Sequence, residues 1–153
     1  MSHVLITGMS GAGKTTLLDE LSRRGHRTID TDYDGWVLPD GTWDEPRMSA
    51  LLASDQTLVV SGTVENQGRF YDRFAAVVLL TAPLDVLIKR VETRTSNPWG
   101  RAESEQSLIR RQVSDVEPLL RRSASLELDG RRPVSGLADE VECLLVATSD
   151  GRL

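Results

Sequence analysis

Residues 8–15 read GMSGAGKT, directly after the apolar run VLIT and directly before TLLDEL. The spacing Gly8-x4-Gly13-Lys14-Thr15 fits G-x-x-x-x-G-K-[ST] at every position. Glycines let such a loop wrap so that successive backbone N–H groups point inward at phosphate oxygens. The helix that follows adds the positive end of its dipole at the same point. Gly8, Ser10, Gly11, Ala12, Gly13, Lys14, Thr15 and Thr16 are therefore the expected phosphate contacts. Lys14 supplies a compact charge for the β- and γ-phosphates, and Thr15 a hydroxyl for Mg²⁺.

A strand, a glycine loop and a helix in that order imply an α/β fold, and the rest of the chain continues the alternation. HVLIT (3–7) reads as a buried strand, and KTTLLDELSRRG as a helix with Leu17, Leu18 and Leu21 on one face and Gly25 as its stop. RTID (27–30), TLVVSG (57–62), AAVVLLTA (75–82) and SLELD (125–129) read as four further strands. Between them lie a helix with Pro46 in its first turn, a short helix at GRFYDRF, and the helical run PLDVLIKRVETR. ESEQSLIRRQVSDVEPLLRR reads as one long polar helix and SGLADEVECLLVA as a closing one, with Cys143 as a small core residue. Strands apolar on both faces and separated by helices imply a five-stranded parallel sheet covered on both sides, a three-layer α/β/α P-loop fold. Residues 1–148 form the expected single domain, with 149–153 a tail.

At 153 residues the chain has room for one domain. Eighteen basic against 23 acidic residues give a net charge of −5, which argues against nucleic acid or an anionic membrane as partner. No apolar run reaches the roughly 20 residues of a membrane span. The N-terminus leads straight into a strand, and one cysteine cannot form an internal disulfide; both fit the cytoplasm. A monomer or homodimer is expected.

The second strand ends in Asp30-Thr31-Asp32. Ligands of open α/β sheets bind beyond the carboxyl ends of strands. Residues i and i+2 of a strand point the same way, so both carboxylates can face the phosphate loop. Two tasks suit them: holding Mg²⁺ and accepting the proton of a substrate hydroxyl. The alternative is that they cap the next turn. Thr15, Asp30 and Asp32 are the expected metal residues.

Phosphate loop, helix, D-x-D strand end and compact length together resemble the shikimate kinase and gluconate kinase group. That group lies among the nucleoside-monophosphate-kinase-like enzymes of the AAA-type P-loop superfamily. Gln112–Leu119 (QVSDVEPL) is similar to the S-Q-F-x-x-L-E-P-L segment of gluconate kinases. The resemblance implies that Asp32 serves the substrate and that a lid follows strand 4, here at about 95–104. Guanidinium groups on such a lid stabilise the transferring phosphoryl group, and Arg94 and Arg101, either side of the Pro98–Gly100 break, are the candidates. It also implies that Arg47 contacts the acceptor and that Arg132 and Pro133 touch the adenine. Two departures stand out. The third strand ends Ser61-Gly62-Thr63 with neither a glycine run nor a Walker B aspartate, and gluconate kinases' S-A-L-K-R is replaced by Ser61-Gly62-Thr63-Val64-Glu65.

All three tryptophans fall in loops. An exposed indole is wasteful unless it meets a ligand or packs under a loop. Trp36 and Trp43 are expected either to line an acceptor pocket or to close a satellite core, and Trp99 to move with the lid. Asp34, Glu65, Asn66 and Arg69 complete the acceptor side. The expected catalytic set is Lys14, Asp32, Arg94 and Arg101. The expected function is transfer of the γ-phosphoryl group of ATP, with Mg²⁺, to a hydroxyl or phosphate of a small polar metabolite. An ATP-binding regulator or slow ATPase without an acceptor is the alternative.

Overall fold

The five apolar runs pair as strands of one sheet: β1 (His3–Thr7), β2 (Arg27–Asp30), β3 (Leu58–Ser61), β4 (Ala76–Thr81) and β5 (Leu126–Asp129). The computed structural model describes residues 2–95 and 97–149. The strand order is β2-β3-β1-β4-β5 and every pairing is parallel, with Leu5 opposite Val60 on one side and Val77 on the other. The helices are α1 (Lys14–Arg23), α2 (Glu45–Leu52), α3 (Leu84–Thr93), α4 (Glu103–Asp115), α5 (Glu117–Ser123) and α6 (Val134–Ser149), with a 3₁₀ helix at Gln67–Arg73. They cover both faces, which gives the three-layer α/β/α arrangement.

Alternation along the strands divides the core in two. Val4, Ile6, Val59, Val78 and Leu80 join Leu17 and Leu21 of α1 and Leu137, Val141 and Leu145 of α6. Leu5, Leu58, Val60 and Val77 face the other way, onto Met48 and Leu52 of α2 and onto Trp36, Trp43, Phe70 and Phe74. The second cluster is the satellite core that the loop tryptophans allowed. Because all strands point the same way, their carboxyl ends bring Thr7, Asp30, Ser61, Thr81 and Asp129 to a single edge.

Three expectations need correction. The long polar helix is two, α4 and α5, broken at Val116, because Pro118 in the first turn of α5 has no N–H to donate. Cys143 is exposed on α6 rather than in the core, since the buried stripe of that helix runs through Leu137, Ala138, Val141 and Leu145. Of the tail expected at 149–153, Ser149 ends α6 and the remainder lies outside the described residues.

The α1–α6 contact is also ionic. Arg24 donates to Glu20 (3.0 Å), Asp139 (2.8 Å) and Glu142 (2.6 Å), and His26 meets Glu142 at 2.7 Å. Hydrogen bonds from Arg24 and Arg23 hold the Glu20 carboxyl below its ordinary value, and those from His26 and Arg24 do the same for Glu142. Depressed folded-state values mean that the unfolded chain binds more protons over that range, so this stabilisation is present above the ordinary carboxylate value and is lost as pH falls through it. Arg24→Met should therefore lower the urea midpoint at neutral pH and lose less than the parent protein between about pH 6 and about pH 3. Urea titrations followed by circular dichroism check this; parallel pH profiles would refute it.

Candidate active site

The phosphate loop leaves β1 at Thr7 and enters α1 at Lys14. Gly11 has φ +89°, and a Cβ there would stand 2.7 Å from Leu87 O, so this turn accepts only glycine without strain. Gly13, also at positive φ, precedes the first turn of α1, whose N–H groups have no partners within the helix and are directed at the loop.

Lys14 Nζ donates to Gly8 O and, at 3.2 Å, to Met9 O. Burial lowers the pKa of its ammonium, while the nearby Asp32 and Asp30 charges oppose that shift and Arg94 reinforces it. Thr15 Oγ1 donates to Asp30 Oδ2 at 3.1 Å. Burial, together with the Asp32 charge, raises the Asp30 carboxyl above its ordinary value, against the hydrogen bonds it accepts.

The sequence expectation that Asp30 and Asp32 align as neighbours along a strand does not hold. β2 ends at Asp30, and Asp30 Oδ1 accepts the N–H of Asp32 at 3.1 Å, closing a turn. Asp30 thus caps a turn with one oxygen and faces Thr15 with the other. Asp32 is exposed beyond the turn, within electrostatic reach of Lys14 and Arg94.

The segment after α3 lies over the loop. Arg94 Nε donates to Asn97 O (3.0 Å), Nη2 to Trp99 O (2.7 Å) and Nη1 to Ser10 Oγ (3.4 Å). Its guanidinium therefore folds the backbone at 97–99 and rests it on the phosphate loop. Burial lowers the Arg94 pKa, opposed by Tyr33 and Asp32. Arg101 is exposed, and its Nη2 donates to Arg94 O at 2.6 Å. Trp99 is half-buried against the main core.

Arg90, one turn before Arg94, is a residue that sequence reasoning left out of the site. Its Nη1 reaches Gly11 O (3.1 Å) and Ala12 O (3.2 Å), and its Nη2 reaches Gly130 O (2.9 Å). The signal was the spacing of the two arginines on one helical face. Gly130 lies so close that a Cβ would overlap Ala12 O, which sets the turn after β5 against the loop. Pro133 is exposed in that turn, and Arg132 reaches back toward Glu140 of α6 at 3.9 Å. A cavity of about 500 Å³ at the ends of β4 and β5 is lined by no phosphate-loop residue, and its arginines are tied to its own acids, Arg121 to Glu117 and Glu127, Arg131 to Asp129.

On the side expected to face an acceptor the structure joins the two stretches 30–47 and 61–69. Trp43 is fully buried, so it supports the cleft from beneath: its Nε1 donates to Thr31 Oγ1 (2.9 Å), which donates to Ser61 O (2.8 Å). Gly62 leaves the space for this, because a Cβ would overlap Thr31 Oγ1 and stand 3.2 Å from the indole. Asn66 ties itself to Trp43 N, Trp43 O and Glu45, and Glu45 also meets Arg69 at 3.5 Å. Trp36 is largely buried under Arg47, whose Cζ stands 3.9 Å above the ring and whose Nη1 donates to Asp34 O. Asp34, at φ +64°, and Glu65 are exposed.

Oxygen donors fit Mg²⁺, which is commonly held by one or two protein oxygens together with substrate phosphates. Thr15 and Asp30 supply such a pair, and among the described residues no cluster of three or more His, Cys, Asp or Glu could hold an ion alone.

Fold and site together define a P-loop protein built to hold a phosphorylated ligand at the carboxyl edge of a parallel sheet. Residues 4–111 match the AAA domain family, and the chain belongs to it; the P-loop small-molecule kinases are the group it is similar to. It is 27% identical over 161 residues to a shikimate kinase of Nitrobacter winogradskyi, a match covering 92% of this chain and 75% of that protein. Its fold is similar to that of a shikimate kinase from Acinetobacter baumannii solved in complex with shikimate (TM-score 0.70, 19% identity, 97% of this chain and 94% of the other). It is also similar to that of a gluconokinase from Sinorhizobium meliloti 1021 (TM-score 0.64, 18% identity, 98% and 94%).

The two tryptophans at the acceptor side should separate on truncation. Trp43→Ala should lower the unfolding free energy by about 3–5 kcal/mol, as for other large buried aromatics. Trp36→Ala, at a residue that keeps 8% exposure under Arg47, should cost less. Equal losses in urea unfolding would contradict that difference.

Proposed function

We propose that the protein transfers the γ-phosphoryl group of ATP to a hydroxyl group of a small polar metabolite. The observation that carries this reading is the meeting of Lys14, the Thr15–Asp30 pair and the exposed Asp32 with a lid arginine docked on Ser10. A cradle alone serves any nucleotide-binding protein; an exposed carboxylate within electrostatic reach of its lysine and of Arg94 suits a second substrate.

In this reading Lys14 and the arginines of the lid neutralise charge on the transferring group, and catalysis is positioning plus charge stabilisation. Mg²⁺, when bound by Thr15 and Asp30 with the phosphates, supplies further neutralisation. Asp32 orients the acceptor hydroxyl and takes its proton as the new O–P bond forms and ADP leaves. The turn at 130–133, with Gly130 against Ala12, is the expected adenine side. Sugar acids, nucleosides and nucleotides all fit a rim of Asp34, Arg47, Glu65 and Arg69. A hydroxylated acid is favoured, because Arg47 lies flat on Trp36 with a backbone carbonyl as its hydrogen-bond partner, and because the relatives are shikimate kinase and gluconokinase. ATP as donor assigns the reaction to the cytoplasm. Among the described residues no helix is long and apolar enough to cross a membrane.

The test is a thermal-shift screen of sugar acids, nucleosides and nucleotides with a Mg–ATP analogue present, followed by phosphotransfer assays on the hits. A hit that stabilises only with nucleotide bound is expected. Lys14→Met should lower kcat by about 10²–10³. Nucleotide turnover that no metabolite affects would replace this reading with a slow ATPase or regulator.

A further inference from the structure

We propose that Thr63 is a positioning residue for the phosphate loop, holding the carbonyl of Gly8 when Lys14 turns to a bound phosphate. The inference rests on the reading of that loop as a nucleotide site. It gives a role to a residue standing where the resembled kinases carry other motifs.

Both backbone polar groups of Gly8 meet one hydroxyl. Gly8 N–H donates to Thr63 Oγ1 at 3.1 Å, and Thr63 Oγ1 donates to Gly8 O at 2.7 Å. Thr7 Oγ1 also lies 3.0 Å from Thr63 Oγ1, so the single proton of Thr63 could go either way. Gln67 decides it. Its Oε1 accepts Val64 N–H at 2.8 Å, which turns its amide nitrogen toward Thr7 Oγ1 (3.1 Å) and Tyr71 OH (2.8 Å). Thr7, accepting from Gln67, directs its own proton to Thr63, and Thr63 directs its proton to Gly8 O. The chain thus runs one way, from the acceptor-side turn at 64–67 to the first carbonyl of the phosphate loop. Gln67 and Thr7 are buried, so solvent has little access to replace a lost member.

Gly8 O now has two donors, Lys14 Nζ and Thr63 Oγ1. A phosphate seated in the loop draws the ammonium to its own oxygens, and Gly8 O then depends on Thr63. Without that hydroxyl Gly8 N–H lacks its acceptor in either state, and nucleotide binding would in addition strip a part-buried carbonyl of its last donor. Thr63 therefore contributes more to the nucleotide-bound protein than to the free one. Gln67, on the acceptor turn, contributes through it.

The experiment is isothermal titration of a non-hydrolysable Mg–ATP analogue into the whole protein, paired with thermal unfolding. Thr63→Val keeps the shape and removes the hydroxyl; it should weaken binding by roughly tenfold or more, as expected for a buried polar group left unpaired. Thr63→Ser restores the hydroxyl and should bind within about twofold of the parent. Thr63→Cys, a weaker donor, should fall between and serves should the valine variant not fold. Gln67→Glu, which cannot donate to Thr7, should also weaken binding although it touches no atom of the loop. Valine or cysteine variants that lose thermal stability but bind the analogue with parental affinity would overturn the proposal and leave Thr63 a merely structural contact. A parent protein that does not bind the analogue would overturn the nucleotide reading itself.

Discussion

A loop that turns its N–H groups inward to phosphate must turn carbonyls outward, and each outward carbonyl needs a donor from somewhere else. Much of this fold serves that need. Gly8 O is met by Thr63 from the end of β3 and by Lys14; Met9 O by Lys14 and by Ala12 N; Gly11 O and Ala12 O by Arg90 from α3; Gly13 O by Leu17 N within α1. The donors come from three separate elements, so the loop is a meeting point of the sheet rather than a flexible connection. Arg90 extends the arrangement to Gly130 O, and so ties the turn after β5 into the same framework.

The charges around the loop follow the same economy of placement. Lys14 loses hydration by burial and recovers part of it through Asp30 and Asp32, whereas Asp30 loses hydration with Thr15 and a backbone N–H as compensation. For both groups burial outweighs what nearby charges and hydrogen bonds return, which is the condition expected of a site that exchanges internal partners for those of a ligand. Arg94 differs: its guanidinium is largely committed to the carbonyls of Asn97 and Trp99, so it shapes that segment and offers its remaining edge to Ser10. Arg101 is exposed and anchored by one nitrogen to Arg94 O, so in the proposed reaction it is the arginine with more freedom to reach the transferring group.

What was legible in the sequence depended on the range of the interaction. The phosphate loop and the strands β1 and β4 are local patterns, a motif and apolar runs, and both survive intact in the fold. The break between α4 and α5 was also local; Pro118 signals it, but the continuous polar face around it reads as one helix. Trp43 could be narrowed only to pocket or core, because its burial is decided by Gly62 and Asn66, about twenty residues away and on another strand end. Arg90 and Thr63 show the same limit in the site. Each acts on backbone carbonyls of a distant loop, and a carbonyl leaves no trace in the sequence of the residue that bears it.

The departures at the end of β3 are linked by one steric fact. Gly62 has no Cβ, and the indole of Trp43 with the hydroxyl of Thr31 fills the space that a Cβ would need. With Trp43 seated there, Asn66 can bracket its backbone from both sides, and the 63–67 turn is held in place. That turn delivers Thr63 to Gly8 and Gln67 to Thr7. A glycine at position 63 could supply neither hydrogen bond to Gly8, so a run of glycines is incompatible with this way of supporting the loop. The same residues that displace the motif of the resembled kinases therefore build the floor of the acceptor side from tryptophan and amide groups and leave Asp32, Asp34 and Arg47 at its rim. In the proposed reaction that rim sets specificity for the acceptor, above a floor whose contacts are already spoken for.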